Sequence, residues 1–427
     1  MTIIELITSL RKIQVSLTIE NGNLRLIGNT KNIDEQLLAQ IREKKDEIID
    51  FLTENQQNLE LEQIPKAAPK DVYPVSNAQR RLWLLSQFEG GNQAYNITTE
   101  LYLKGNVIVE KLEEAFNKSI AKHESLRTVF VTIDDEPVQK ILPSIDFRFA
   151  FGDVQQAPNK KQALKEEIEN AKNHVFNIEN GPLLRVKLIT ISTNEYAFLF
   201  SLHHIITDGW SIGVLVQEIM ANYKELCLGN TLAESADTLQ YKDFTEWISA
   251  KLESEDGKQA REFWQHKKLG EIPPLSLPND FKRPDINSFE GATQKFFFDA
   301  SFYNSIEQFA RTNRVTIFQV YRACLSVLLH KLSGLPEIII GTPVSGRSHP
   351  QLHDQLGLYV NTLPLLSRIN GGESFETYLE QLAKDSLKSF EYQDYPLDLI
   401  IEESKSISRE TTYPRQRKLN SSTLNQT

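Results

Sequence analysis

Cysteine is scarce: Cys227 and Cys324 are the only two in 427 residues. They lie far apart in helical-looking apolar runs, so there is no disulfide framework. Each reads as a buried free thiol in a reducing compartment. Long apolar runs are lacking too. None approaches the roughly 20 residues of a membrane span. The opening MTIIELITSLRK has too short an apolar stretch, and the wrong flanks, for a secretory signal. The expectation is a cytoplasmic protein with no membrane partner. Basic charge is not in excess, with 47 Lys and Arg against 57 Asp and Glu and a formal net charge of −10. Nucleic acid and anionic membranes are therefore poor partners. No GxSxG or cysteine-nucleophile signature occurs, and no repeat of fixed period. His123 and His330 stand in segments remote from the His203-His204 pair, so no metal site is expected.

What is present is an ordinary globular composition, 40% hydrophobic and 24% charged, at a length that suits two or three domains. Residues 1–53 read as a small unit. Thr2 and Glu5 form a capping-box pattern, and Ile3, Leu6, Ile7 and Leu10 follow at helical spacing. Val15, Leu17 and Ile19 alternate with polar residues, as do Leu24 and Leu26, with Asn21-Gly22 between the runs as a hairpin signal. Asn32 and Glu35 repeat the capping pattern, and Leu37, Ile41, Ile48 and Leu52 mark one face of a second helix. The order is helix, hairpin, helix, with a core that is marginal at this size.

Residues 54–71 are polar and proline-containing, which reads as a linker. From Val72 to about residue 402 the pattern is mixed. It predicts helices over 108–123, 161–174, 211–226 and 316–333, and strands over 126–132 and 195–202. Residues 403–427 lose apolar content and read as a disordered tail.

The densest chemistry lies in NEYAFLFSLHHIITDGWSIGVLV. Tyr196 to Leu202 is a strand-length apolar run that delivers His203 and His204 to its end. Neighbours on a strand face opposite ways, so only one histidine can face a given cavity. Asp208-Gly209 makes a turn, and Ser211 is a candidate N-cap for the helix that follows. Alone, an HHxxxD pattern could equally be coincidence or a satisfied core histidine.

It does not stand alone. SNAQRRLWLL (76–85), KHESLRTVF (122–130), LHHIITDGWS (202–211), YKDFTEW (241–247), IIGTPVSGR (339–347), GLYVNTLPL (357–365) and YQDYPLD (392–398) occur in order. Over 72–402 the chain thus resembles the condensation domains of nonribosomal peptide synthetases. Tyr392 stands where that family usually has histidine. The resemblance implies an α/β, chloramphenicol-acetyltransferase-like fold of two lobes in a V, here 72–250 and 251–402, with a tunnel between them. It implies that carrier proteins bring a donor thioester and an acceptor amine together near His204. Gly209 would let the backbone approach the thioester and offer its amide to the oxyanion. His203, Asp208 and Arg347 would hold the loop, the last two as a pair. Trp210, Ser211 and Asn361 would line the tunnel or brace the lobe interface. No cofactor is expected on the chain itself, since the substrates ride on phosphopantetheine of donor and acceptor peptidyl carrier proteins. The motif blocks look most like domains joining an L-donor to an L-acceptor.

Residues 1–53 resemble TubC-type N-terminal docking domains, on element order and scattered apolar positions. This implies that the C-terminal tail of an upstream synthetase subunit is received at the hairpin around Val15, Leu17, Ile19, Leu24 and Leu26. An exposed hairpin edge could accept such a peptide as an added strand. The resemblance fades near 402, before the strands and helix that complete the family's second lobe. The expectation for the isolated chain is an incomplete lobe with an uncovered edge and apolar face, and little condensation activity. The alternative reading is therefore a catalytically inactive docking or scaffold fragment.

Overall fold

The structure is a computed structural model that describes residues 15–20, 23–28, 35–45, 47–49, 63–88, 90–232, 238–281 and 291–405. The chain separates into two compact units, Met1–Pro65 and Lys66–Thr427.

In the first unit, β1 (Val15–Glu20) and β2 (Asn23–Gly28) pair antiparallel, with positions 17 and 19 opposite 26 and 24. That register puts the five expected docking positions on one face of the hairpin. Helix α1 (Glu35–Glu43) carries Ile41, which is buried, as is Ile48 beyond it. The expected first helix with its Thr2–Glu5 cap, the Asn21-Gly22 turn, Asn32 and Leu52 lie outside the described residues.

The second unit begins with β3 (Tyr73–Pro74) and α2 (Asn77–Ser86), which Ser76 caps in a reciprocal box with Gln79. Next come the short α3 (Gly91–Ala94), β4 (Asn96–Lys104) and α4 (Val109–Lys122). Strands β5 (Thr128–Ile133), β6 (Glu136–Ile141) and β7 (Ala150–Asp153) lead to α5 (Lys160–Lys172). Then β8 (Leu184–Ser192) and β9 (Glu195–His203) run into α6 (Gly209–Cys227). The sheets have strand orders β3-β6-β5 and β4-β9-β8-β7. Strand β9 is central, and both of its faces are covered. Ala197 and Leu199 meet Ile168 of α5 on one side. Phe198 and Phe200 join Phe116 of α4 on the other, at ring-centroid distances of 5.6 and 6.5 Å. Double coverage explains the near-continuous apolar run before the histidines.

The remaining elements are α7 (Tyr241–Glu253), α8 (Glu255–His266), α9 (Ala300–Thr312), α10 (Ile317–Ser333), β10 (Glu337–Val344), β11 (Asn361–Arg368), α11 (Phe375–Glu391) and α12 (Leu397–Lys405). Strands β10 and β11 pair antiparallel from Glu337↔Arg368 to Val344↔Asn361. Leu363 and Leu365 pack with Trp264 of α8 and Ile400 of α12. Ser367 hydrogen-bonds Arg322 and Ser326 of α10. Among the described residues no helix is long and apolar enough to cross a membrane.

Three expectations need correction. Cys227 and Cys324 are exposed, not buried. Cys227 ends α6, and Cys324 lies at the solvent-exposed flank of α10, beside the stripe through which Val320 and Ala323 enter the core. That outer face carries Phe318, Tyr321, Leu325, Leu328 and Leu332 at helical spacing, each more than 40% exposed. An apolar run on both faces of a helix does not say which face is covered. The strand expected over 126–132 starts at Thr128, because Glu124–Arg127 forms a 3₁₀ turn. Ser211 does not cap α6. Asp208 does, through its side chain, and Ser211 is the third helical residue, whose backbone N–H donates to that carboxylate.

Candidate active site

The site is the connection from β9 to α6. His203 closes the strand, fully buried, with Nδ1 accepting from the Ile205 amide at 3.2 Å and its ring edge-on to Phe176. Burial, followed by the charge of His204, lowers its pKa to about 4, with the Asn92 carbonyl opposing. It is a neutral core group at physiological pH. His204 begins the 3₁₀ turn His204–Ile206 and is only partly buried. Its amide donates to the Tyr95 carbonyl at 2.8 Å, and its Nδ1 lies 2.7 Å from the Thr207 carbonyl. A carbonyl only accepts, so Nδ1 carries the proton, and the neutral ring keeps its lone pair on Nε2.

Asp208 faces away from this chemistry. Oδ1 accepts from the Ser211 amide at 2.7 Å and from Arg347 Nη2 at 3.3 Å, and Oδ2 accepts from the Tyr359 amide at 3.0 Å. Arg347 also donates from Nη1 to the Leu352 and Gln355 carbonyls and from Nη2 to Ser211 Oγ. Its guanidinium lies 4.1 Å from the Tyr359 ring centroid. Ser211 Oγ in turn donates to the Gly357 carbonyl and accepts from the Gly357 amide, at 2.9 and 3.1 Å. The side-chain oxygens of Asp208 and Ser211 thus all tie the start of α6 to residues 347–359. Trp210 is half-exposed and makes the same tie, through Nε1 to the His353 carbonyl at 2.9 Å.

Gly209 is the first residue of α6 and is exposed; a Cβ built there meets nothing within 4 Å. The first amides of a helix lack intrahelical acceptors, so this N–H is free to meet developing negative charge. Asn361 holds the backbone of the YQDYPLD segment: its Nδ2 donates to the Gln393 and Tyr395 carbonyls at 2.9 and 2.8 Å, and its Oδ1 accepts from the Leu397 amide at 3.2 Å. His123 and His330 are engaged elsewhere, with Glu218 and the Leu335 carbonyl.

Sequence reasoning missed several supporting residues. Gln79, buried on α2, donates from Nε2 to the Ile205 carbonyl at 3.2 Å and so braces the histidine turn. The signal available was the S-x-x-Q spacing of Ser76 and Gln79. Tyr241, first in α7, donates to the Leu358 carbonyl at 2.6 Å and lies 2.9 Å from Ser76 Oγ. Burial raises its phenol pKa far above the ordinary range, so it stays a neutral donor. Gly357 must be glycine, since a Cβ would sit 2.0 Å from the Tyr241 ring.

With this geometry in hand, comparison with known proteins is specific. The condensation domain family matches residues 69–414, past the expected limit near 402, and the TubC N-terminal docking domain family matches residues 3–54. Bacitracin synthase 2 of Bacillus licheniformis is 34% identical over 404 residues, covering 94% of this chain but 15% of that protein. The chain thus spans a small part of such relatives. Among solved structures, the X-domain from teicoplanin biosynthesis aligns with a TM-score of 0.73 at 21% identity, covering 80% of this chain and 75% of that one. The first condensation domain of the calcium-dependent antibiotic synthetase aligns at 0.68 and 18%, covering 78% and 79%. These likenesses show the fold, two chloramphenicol-acetyltransferase-like lobes in a V. The chain belongs to the condensation domain family and carries a TubC N-terminal docking domain ahead of it.

Proposed function

We propose that the chain is the condensation unit of a nonribosomal peptide synthetase. It joins a carrier-bound donor acyl or peptidyl thioester to the amine of a carrier-bound acceptor aminoacyl group, L-donor to L-acceptor. The observation that carries this reading is His204, with Nδ1–H directed to the Thr207 carbonyl and Nε2 left as acceptor, next to the free N-terminus of α6.

In the reaction the acceptor amine attacks the thioester carbonyl carbon. The C–N bond forms and the C–S bond breaks. The proton shed by nitrogen passes to His204 Nε2 and on to the departing thiolate, leaving an amide and a carrier thiol. An α-amine with a reference pKa of about 8 needs little activation, so orientation dominates. The Gly209 amide faces the oxyanion that forms on the way. The chain itself needs no cofactor, because both substrates arrive on phosphopantetheine arms of partner carriers. It acts in the cytoplasm.

The first unit supplies the partner. A hairpin edge can take the C-terminal tail of an upstream synthetase subunit as an added strand. Hydrogen exchange tests this: the cognate tail peptide should slow exchange of amides in Val15–Gly28, and unchanged exchange there would refute it. For the chemistry, loaded donor and acceptor carriers should yield amide product with the chain. Absence of product from the unsubstituted chain is the outcome of the docking-fragment alternative.

A further inference from the structure

The YQDYPLD segment carries two carboxylates that the active-site loop does not use. Asp394 accepts from Lys251 Nζ at 2.6 Å and from Ser348 Oγ at 2.9 Å. Asp398 pairs with Arg81 Nη1 at 3.3 Å. Arg81 lies in the first half of the unit, and Lys251 lies at the boundary, near the end of a helix that begins in that half. Arg81 is on α2, whose Gln79 braces the histidine turn. Lys251 is on α7, which is bound to that half through Gln240 to the Lys122 carbonyl and through Lys242 to Glu124. Ser348 adjoins Arg347, which grips Asp208. Asp394 lies within, and Asp398 directly follows, the backbone that Asn361, at the start of β11, holds with three hydrogen bonds.

We propose that Gln393–Asp398, held by Asn361, is a latch whose pairs with Arg81 and Lys251 fix the separation of the two halves across which the His204 loop works. Asn361 is then a positioning residue that acts through the backbone it holds. The pairs differ in kind from Asp208–Arg347. That pair is sealed from water, whereas the side chains of Arg81 and Asp398 are 30% and 34% exposed and those of Lys251 and Asp394 are 33% and 20% exposed. Partly exposed ion pairs are individually weak and yield to salt. They can therefore open during carrier exchange without unfolding either half, while the buried Asp208–Arg347 pair, which also joins the halves, holds as the pivot beside the loop. The two carboxylates lie within five residues, so one backbone segment sets both contacts, and a shift of that segment loosens both.

The chain's two cysteines make the test direct. Cys227 ends α6 in the first half and Cys324 lies on α10 in the second, and both are exposed. Nitroxide labels on them report the separation of the halves by pulsed electron–electron resonance, without substrate and without engineered cysteines. The unsubstituted protein should give one narrow distance distribution. Arg81→Glu, and 1 M NaCl on the unsubstituted protein, should each broaden or shift it. The swap Arg81→Glu/Asp398→Arg should narrow it again. Asn361→Ala should broaden it even with both ion pairs left in the sequence. A distribution unchanged in Arg81→Glu, in Asn361→Ala and in high salt would overturn the latch. So would a swap variant that melts like the parent yet stays broad. The consequence for catalysis rests on the proposed amide chemistry and is read separately. Arg81→Glu should lower the turnover number about fivefold with KM for the carriers unchanged, and the swap should restore it. Lost product with an unchanged distance distribution would overturn the latch and leave the active-site reading standing.

Discussion

Arg347 meets Asp208 across 139 residues of sequence, with the two side chains 1% and 4% exposed. The carboxylate caps α6, the guanidinium lies against Tyr359, and the pair anchors the end of the loop bearing His204 to residues 347–359. A charge buried this deeply is tolerable only with its partner in place. Removing one partner, as in Asp208→Asn or Arg347→Met, should cost about 3–5 kcal/mol of unfolding free energy. The double variant should lose less than the sum of the singles. Denaturant unfolding of all three checks this, and strictly additive losses would mean that the pair is not coupled.

Stability should fall as pH drops from about 6.5 to about 4. The folded-state pKa of His203 is lowered to about 4 by burial. Between that value and its unfolded value of about 6.5, the unfolded chain binds the extra proton. Unfolding is thus favoured on acidification, by at most about 3 kcal/mol from this residue. His349, also lowered by burial, adds in the same direction. Glu218, lowered to about 2 by His123 and Lys122 against the opposing effect of burial, begins to lose its contribution only below about 4.5. Comparing melts at pH 7 and pH 5, the loss should shrink in His203→Asn, and an equal loss would remove His203 as the cause.

Two glycines beside the site should respond in opposite ways. At Gly357 a Cβ would collide with Tyr241, so Gly357→Ala should lower stability by about 1–3 kcal/mol. At Gly209 the space is open, so Gly209→Ala should leave the melting temperature near that of the parent. Any loss of product in Gly209→Ala then reflects substrate approach, not folding. Paired melts and product assays separate the two cases.

Much of this architecture could be read from the sequence because it is local. The helices expected over 108–123, 161–174 and 316–333 appear as Val109–Lys122, Lys160–Lys172 and Ile317–Ser333, since periodicity and caps are encoded in neighbouring residues. The helix starts earlier than the Ser211 cap expected from the sequence because Asp208-Gly209, which reads as a turn, is itself the cap and first residue of α6, and Oδ1 of Asp208 serves both the helix amide and the arginine. What periodicity could not supply is contact between distant segments. Gln79 reaches Ile205, and Tyr241 joins Ser76 to Leu358, across more than a hundred residues each. Nor could it say which face of α10 is covered, and so Cys324 was expected inside.

The central claim is that His204, with its proton fixed on Nδ1 and its lone pair on Nε2, serves amide formation. The most direct measurement is mass spectrometry of the product formed from loaded donor and acceptor carriers by the chain and by His204→Ala. The variant should melt like the parent, because the side chain is only partly buried, and should form product at least about a hundredfold more slowly. Equal product from parent and variant would contradict the account.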